Sequence, residues 1–222
     1  MTNIRVILLT LCGLFASQVA LGNPTQSTFV GNGVCASCHA SQVKDWTGSH
    51  HDLAMQEASE KTVLGDFDNA NFVYEGVTTS FYRKGDEYWV KTDNENGELQ
   101  DYRVAYVFGV YPLQQLLLPI QNGRFNALSI AWDARNTSEG GQRWYHIYEN
   151  QEPVTSESPL HWTGIYHNWN SRCAECHSTN VVKGYDGTRR QYTTTYDQIN
   201  VGCEACHGPG SRHVELANAG KI

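Results

Sequence analysis

Three short cysteine motifs constrain this chain more than any other feature of its sequence. Each has the form Cys-x-x-Cys-His, and together they take up six of the seven cysteines. They are Cys35-Ala36-Ser37-Cys38-His39, Cys173-Ala174-Glu175-Cys176-His177 and Cys203-Glu204-Ala205-Cys206-His207. This spacing is typical of c-type haem attachment. The two thiols add to the two vinyl groups of a haem, and the histidine that follows becomes the proximal ligand of the iron.

Two other interpretations of the cysteine pairs account for less of the pattern. Disulfides are common in exported proteins, but they do not explain why a histidine follows every pair. A zinc site could take four thiolates from the pairs at 173/176 and 203/206, but it would leave Cys35 and Cys38 without a partner. The sequence therefore predicts three covalently attached haem c groups.

Residues 1–22 have the pattern of a secretory signal peptide. Arg5 precedes an apolar run at 6–20, and Ala20 and Gly22 supply the small residues of a cleavage site. An uncleaved anchor is the alternative, but the run is short for a membrane span. Cys12 lies inside the run and should leave with the signal. We expect an exported, periplasmic chain with no membrane segment after cleavage.

The charge balance indicates the kind of partner. The chain has 16 Lys and Arg against 23 Asp and Glu. Loss of Arg5 leaves 15 basic residues and a net charge of −8. An acidic surface argues against binding to nucleic acid and favours redox protein partners that present a basic docking face.

The chain divides into three regions after the signal: 23–65 with the first motif, 66–153 without cysteine, and 154–222 with the other two motifs. The fold class that this predicts is α+β. Helical patterns cover 34–46 and resume at 50–61, and a last helix is expected from residue 214. The region around the other two motifs should hold little regular structure.

The middle region should be an insert built from antiparallel strands. Runs rich in aromatic and β-branched residues alternate with turns that contain glycine. The predicted strands are 79–83, 87–92, 99–108, 125–132 and 143–148. The segment 113–120, which contains Pro119 and follows Pro112, fits an edge strand or a short helix equally well.

The second axial ligand of each iron decides between an electron carrier and an enzyme. Met55 is the one methionine left after removal of the signal, so at most one iron can have His/Met ligation. Six histidines lie outside the motifs: His50, His51, His146, His161, His167 and His213. Three of them would saturate all three irons.

The positions of these histidines favour some over others. His51 and Met55 are one turn apart and would compete for the same iron; we prefer His51. His213 follows His207 too closely to reach the opposite face of the same haem. It should serve a neighbouring haem, such as the one held by the pair at 173/176. His161 is the third choice and His167 its alternative.

His146 lies in the predicted strand at 143–148, where an ordinary sheet histidine is the simpler interpretation. The three preferred distal ligands are therefore His51, His161 and His213. They accompany the proximal ligands His39, His177 and His207 as the predicted metal-binding set.

Three stretches together resemble the cytochrome c554-like family of multihaem cytochromes. They are 35–55 with Ser49-His50-His51-Asp52-Leu53-Ala54-Met55, the stretch Phe108-Gly109-Val110-Tyr111-Pro112-Leu113-Gln114-Gln115, and Cys203-Glu204-Ala205-Cys206-His207-Gly208-Pro209-Gly210. They look most like the amino-terminal part of members that carry tetratricopeptide repeats.

The resemblance implies low-spin haems that lie close together, mostly with two histidine ligands, and a role in periplasmic electron transfer. The Ser-x-His pattern of the family falls on His51. Its histidine after Cys-His-Gly-Pro-Gly falls on His213. A fourth haem motif and helical repeats are not found in this sequence, so docking through repeats is not implied here.

Two functions remain open. The first is a trihaem electron carrier, or a module of a longer multihaem protein, with no catalytic residue of its own. The second is a multihaem redox enzyme of the nitrogen-oxide reductase or hydroxylamine oxidase type, which would need one open haem site.

Overall fold

A computed structural model describes residues 26–222. The predicted signal peptide, with Cys12, lies outside the described residues. Over residues 26–222, the helices are all too short or too polar to cross a membrane.

The first motif lies between two short helices. α1 (Asn32–Ala36) and α2 (Ala40–Trp46) are separated at His39, whose φ of −112° and ψ of 43° interrupt the helix predicted over 34–46. The helix predicted at 50–61 is wrong. A turn is followed there by strand β1 (Met55–Glu57), because this segment pairs with the sheet described next and buries Met55 completely.

The middle of the chain forms two antiparallel sheets, which confirms the α+β class. Its strands are β2 (Ala70–Tyr74), β3 (Val77–Lys84), β4 (Glu87–Asp93), β5 (Leu99–Arg103), β6 (Tyr106–Phe108), β7 (Leu113–Pro119), β8 (Phe125–Asp133) and β9 (Arg143–His146). One sheet has the order β2-β3-β4-β5 and the other has the order β1-β6-β7-β8-β9. The larger sheet therefore takes its edge strand β1 from the region of the first motif.

Two strand predictions need correction. The run 99–108 is two strands in different sheets, since Val104 and Ala105 turn the chain from β5 into β6. The segment 113–119 is a central strand, paired on one side with β6 and on the other with β8. Its apolar run follows from burial on both faces.

The alternation of β7 places two cores on opposite faces of the larger sheet. Leu116 and Leu118 face the smaller sheet, where they pack with Phe81 and Val90. Leu117 faces the other way, into a second core that the region of the second motif completes. The sheet thus carries the second motif on its outer face.

The rest of the chain consists of short elements joined by irregular backbone. They are α3 (Trp169–Arg172), α4 (Ala174–His177), β10 (Tyr185–Asp186), β11 (Gln191–Tyr192), α5 (Cys203–His207) and α6 (Ser211–Asn218). The predicted last helix is confirmed, and it begins at Ser211 rather than at residue 214.

Candidate haem-binding site

Each motif lies on a single helical turn that brings its two cysteines to one face. In the first motif the His39 N–H donates to the Cys35 carbonyl over 2.9 Å, and in the second the His177 N–H donates to the Cys173 carbonyl over 3.1 Å. The third motif is α5 itself. Residues three apart on a turn share a side, so both thiols of a pair can reach one flat group. The following histidine lies beside them.

All six thiols are free, and in each pair the second cysteine is exposed and the first half-buried. Burial raises the pKa of the Cys35 thiol, and the nearby Cys203 and Glu204 add to the shift. Burial also raises the pKa of the Cys173 thiol. Within residues 26–222, no group of three or more His, Cys, Asp or Glu side chains converges in a metal-binding cluster.

The first and third motifs belong to one hydrogen-bonded unit although they are distant in sequence. The Cys203 N–H donates to Asn32 Oδ1 over 2.9 Å, which ties the start of α5 to the start of α1. The Thr28 N–H donates to Ser211 Oγ over 2.8 Å, and the Ser211 N–H donates to the Thr28 carbonyl over 3.1 Å. The chain that leads into Cys35 therefore runs along the chain that surrounds the third motif.

The segment after the first motif holds the third motif from the other side. Trp46 Nε1 donates to the Val201 carbonyl over 2.9 Å, and the Val201 N–H donates to the His51 carbonyl over 3.2 Å. Asn200 Nδ2 donates to Asp52 Oδ1 over 2.9 Å. His51 is thus fixed beside the segment that enters the third motif.

The second motif rests on the larger sheet. Trp169 Nε1 donates to the buried sulfur of Met55 over 2.9 Å. The Phe108 ring meets the His177 ring edge-on, with centroids 5.6 Å apart. Nδ1 of His177 is buried and has no hydrogen-bond partner.

The residues just after the second motif also join the third. Thr179 Oγ1 donates to the Asn200 carbonyl and accepts from the Gly202 N–H, each over 2.8 Å. Ser178 Oγ donates to the Ile199 carbonyl over 2.7 Å. All three motifs therefore converge on the segment 199–204.

The region of the first motif is held together with almost no apolar core of its own. No side chain between residues 26 and 53 is buried, and neither α1 nor α2 buries a residue. Short chains of fewer than about 40 residues usually need a metal, disulfide or other support to stay folded. A porphyrin is a large apolar group, so these residues fit a haem that supplies the missing core.

The rings of His39 and His213 lie close together, at a separation compatible with one metal ion between them. Their ring centroids lie 6.1 Å apart and their planes are inclined by 26°. Nitrogen–metal distances of roughly 2 Å on either side of an ion place two imidazole centroids about 6 Å apart. His213 thus lies beside the first motif, whereas the sequence suggested the motif at 173/176 as its neighbour.

The other non-motif histidines fall into two groups. His50 and His51 are exposed, as His213 is, whereas His146, His161 and His167 are buried. These three lie in the two sheets or in the segment 154–168 that packs on them, which together are called the β-rich region. Met55 is also buried, and its sulfur already accepts a hydrogen bond.

His161 does not suit the ligand role that the sequence predicted for it. Its Nδ1 is 2.8 Å from Thr163 Oγ1 and its Nε2 is 3.1 Å from Asp93 Oδ2, so protein atoms occupy both ring nitrogens. A nitrogen that binds iron has to offer its lone pair. We therefore leave His161 out of the ligand set.

The other two buried histidines also use a ring nitrogen in a contact with a protein oxygen. Nε2 of His167 lies 3.1 Å from the Leu160 carbonyl, and burial lowers the pKa of His167. His146 lies in β9 as a sheet histidine, with Nε2 3.0 Å from Ser129 Oγ. Burial lowers the pKa of His146 to about 4.

Glu204, which lies between the two cysteines of the third motif, is a site residue that the motif spacing does not predict. Its carboxylate is buried and accepts hydrogen bonds from three backbone N–H groups. A local signal did exist, since an acidic residue also lies within the second motif, at Glu175. That one is exposed, so the motif alone does not distinguish the two.

Comparison with known families finds one match. The family model for cytochrome c554 and c-prime matches residues 34–72 and 132–208, just over half of the chain. The matched segments contain all three motifs, and the unmatched stretch 73–131 contains β3 to β7. No curated protein matches the chain in sequence.

A solved structure shares the fold. The crystal structure of the outer cell wall cytochrome OcwA aligns with a TM-score of 0.52 at 19% sequence identity. The alignment covers 86% of this chain and 34% of that one. This chain therefore spans about a third of the length of that protein.

Proposed function

This chain belongs to the cytochrome c554 and c-prime family, and from that premise we propose that it is an exported trihaem c-type cytochrome that transfers electrons between redox partners. One observation carries the proposal. Three attachment motifs, each on a helical turn, meet at the segment 199–204. Motifs that share a segment bring their cofactors within short range of one another, as an electron carrier requires.

The attachment residues have separate roles. Cys35 and Cys38, Cys173 and Cys176, and Cys203 and Cys206 form the thioether bonds. His39, His177 and His207 each supply a proximal nitrogen. Bound haem c supplies an iron that takes up and releases one electron, at a potential set by its axial ligands and surroundings.

The distal ligands follow from the exposed histidines. We assign His213 to the iron held by His39, because the two ring centroids lie 6.1 Å apart, close to the separation that one iron bound by both rings would give. His50 and His51 are left for the irons held by His177 and His207. His51 is fixed beside the third motif through Val201. With two nitrogens on every iron, no position stays open for a substrate, which favours a carrier over an enzyme.

The partner and location are part of the same proposal. The acidic balance of the chain favours a redox protein with a basic docking face. The signal-like residues 1–22 favour export to the periplasm. The further likeness to cytochromes with tetratricopeptide repeats, and a role as one module of a longer protein, stay expectations.

Two measurements on the matured protein test the proposal. Intact mass should correspond to three haems per chain, and the oxidised protein should give only low-spin electron paramagnetic resonance signals. Carbon monoxide added to the reduced protein should leave the absorption spectrum unchanged. Fewer than three haems would sink the trihaem assignment. Carbon monoxide binding at one iron would favour the redox enzyme with an open haem.

A further inference from the structure

The carboxylate of Glu204 is buried at the junction of three chain segments. Glu204 is only 4% exposed. Glu204 Oε2 accepts from the Gly31 N–H over 2.7 Å, and Oε1 accepts from the Gly210 N–H over 2.7 Å. The Val30 N–H lies 3.0 Å from both oxygens. No Lys or Arg side chain of residues 26–222 forms an ion pair with it.

The three N–H donors belong to segments that carry proposed iron ligands. Gly31 immediately precedes α1, which leads to His39. Gly210 immediately precedes α6, which holds His213. Glu204 itself lies on α5, which ends at His207. One side chain therefore links the segment that leads to His39 with the distant segment that holds His207 and His213.

The arrangement requires a carboxylate rather than an amide. An ionised carboxylate is an acceptor at both oxygens, and here both oxygens face N–H donors. The isosteric glutamine would turn an NH₂ group toward one of these donors. That bond would become a repulsive contact in a buried place, where an unpaired polar group is costly.

We infer that Glu204 is a positioning residue that sets the separation of the His39 and His213 rings, and that its buried charge holds down the reduction potential of the iron between them. The inference rests on the proposed function, because it concerns an iron that the proposal places there. The charge acts in this way because a fixed negative charge in a low-dielectric place stabilises the ferric form over the ferrous form.

Glu175 provides a matched control. It lies inside the second motif, between Cys173 and Cys176, but its side chain is exposed. Glu175→Gln removes the same charge from a motif and breaks no buried contact. A charge in water acts weakly because the solvent screens it.

The test compares wild-type, Glu204→Gln and Glu175→Gln proteins, each with its haems attached. We expect Glu204→Gln to favour reduction of one iron about tenfold, a rise of about 59 mV for one electron. One low-spin electron paramagnetic resonance signal should change, and the amides of residues 30, 31 and 210 should lose protection from hydrogen exchange. Glu175→Gln should match the wild type in all three measurements.

The variant Glu204→Asp distinguishes the effect of the charge from the effect of the side-chain length. It is also the variant to measure if the Glu204→Gln protein does not accumulate. The shorter side chain keeps the charge but cannot meet the segments at 30–31 and 210 together. It should therefore change the resonance signal while the potential stays closer to wild type. If the Glu204 variants match the wild type in resonance signal, reduction potential and hydrogen exchange, this inference is overturned but the proposed function is not. A wild-type protein without three low-spin haems would instead overturn the proposed function.

Discussion

The β-rich region and the region of the first and third motifs, called the motif region, are held together by different interactions. The β-rich region is held together by the packing of apolar side chains. Among them are Phe81, Leu116 and Leu128, which are almost fully buried between its sheets. The motif region is held together by hydrogen bonds, such as those that Asn32 and Glu204 accept from the main chain. Residues 26–53 bury no side chain at all.

The histidines follow the same division. The buried ones of the β-rich region, such as His161, use their nitrogens on protein atoms. The exposed ones lie in the motif region, where the His213 ring lies 6.1 Å from the His39 ring. A histidine that protein atoms satisfy stabilises the fold, and one left exposed beside a haem motif is available to an iron. Burial separates the two groups where residue type does not, in line with the proposed ligand roles.

The largest expected effect comes from withholding the haems. A chain produced without its signal and without haem attachment should keep the β-rich region and lose the motif region, because only the former has its own apolar core. Hydrogen exchange should show amides of α1 and α2 exchanging at least roughly 100-fold faster than in the mature protein. Amides of β7 and β8 should stay protected. Equal protection of both regions in the haem-free chain would contradict the division.

Removing one exposed histidine should open one iron. In His213→Ala, we expect one of three irons to become high-spin and to bind carbon monoxide in the reduced state, because its distal nitrogen is gone. Absorption and electron paramagnetic resonance spectra measure both changes. His161→Gln is the matched control and should leave all three irons low-spin. A spectral change in the control, with none in His213→Ala, would reverse the assignment.

The same control variant should be costly to stability. His161→Gln disturbs a buried pair with Asp93 and leaves polar atoms without good partners. We expect the free energy of unfolding of the β-rich region to fall by about 2–3 kcal/mol. Urea titration followed by tryptophan fluorescence measures it, since Trp162 lies in this core. His50→Gln, at an exposed position, should change this free energy by less than about 0.5 kcal/mol.

Local sequence signals predicted the hairpins well. Turns that contain glycine, which were predicted between the strands, connect β3 to β4 at Gly85-Asp86 and β4 to β5 at Asn96-Gly97. The division of 99–108 between two sheets was not predictable, because strand pairing over long distances decides it. For the same reason 50–61, with its helix-forming residues, becomes a turn and strand β1 rather than a helix.

The candidate site shows the same limit. The cysteines and following histidines of the three motifs stand out in the sequence because their spacing is local, and their role in haem attachment stays a prediction. The pairing of His39 with His213 cannot, because it depends on how opposite ends of the chain meet. The burial of His161, which argues against a ligand role, is not visible in the sequence for a histidine beside a tryptophan. The role of Glu204 cannot be predicted from the sequence, because its partners are backbone N–H groups of other segments.

The smallest expected effect is a pH dependence confined to the β-rich region. Burial lowers the pKa of His146 from 6.5 to about 4, so the folded state resists a proton that the unfolded chain accepts. Its contribution to stability is complete above pH 6.5 and is lost as the pH falls toward 4. Between pH 7 and pH 5 we expect a loss of about 2 kcal/mol at most. Urea titrations at a series of pH values measure the loss, and His146→Gln should make the profile shallower in this window, with the remaining slope due to His167, whose pKa burial also lowers. Because His213 is proposed to hold an iron rather than a proton, His213→Ala should not change how the free energy of unfolding of the β-rich region varies with pH. An equal flattening by both variants would mean that the two groups of histidines do not differ in the way their burial suggests.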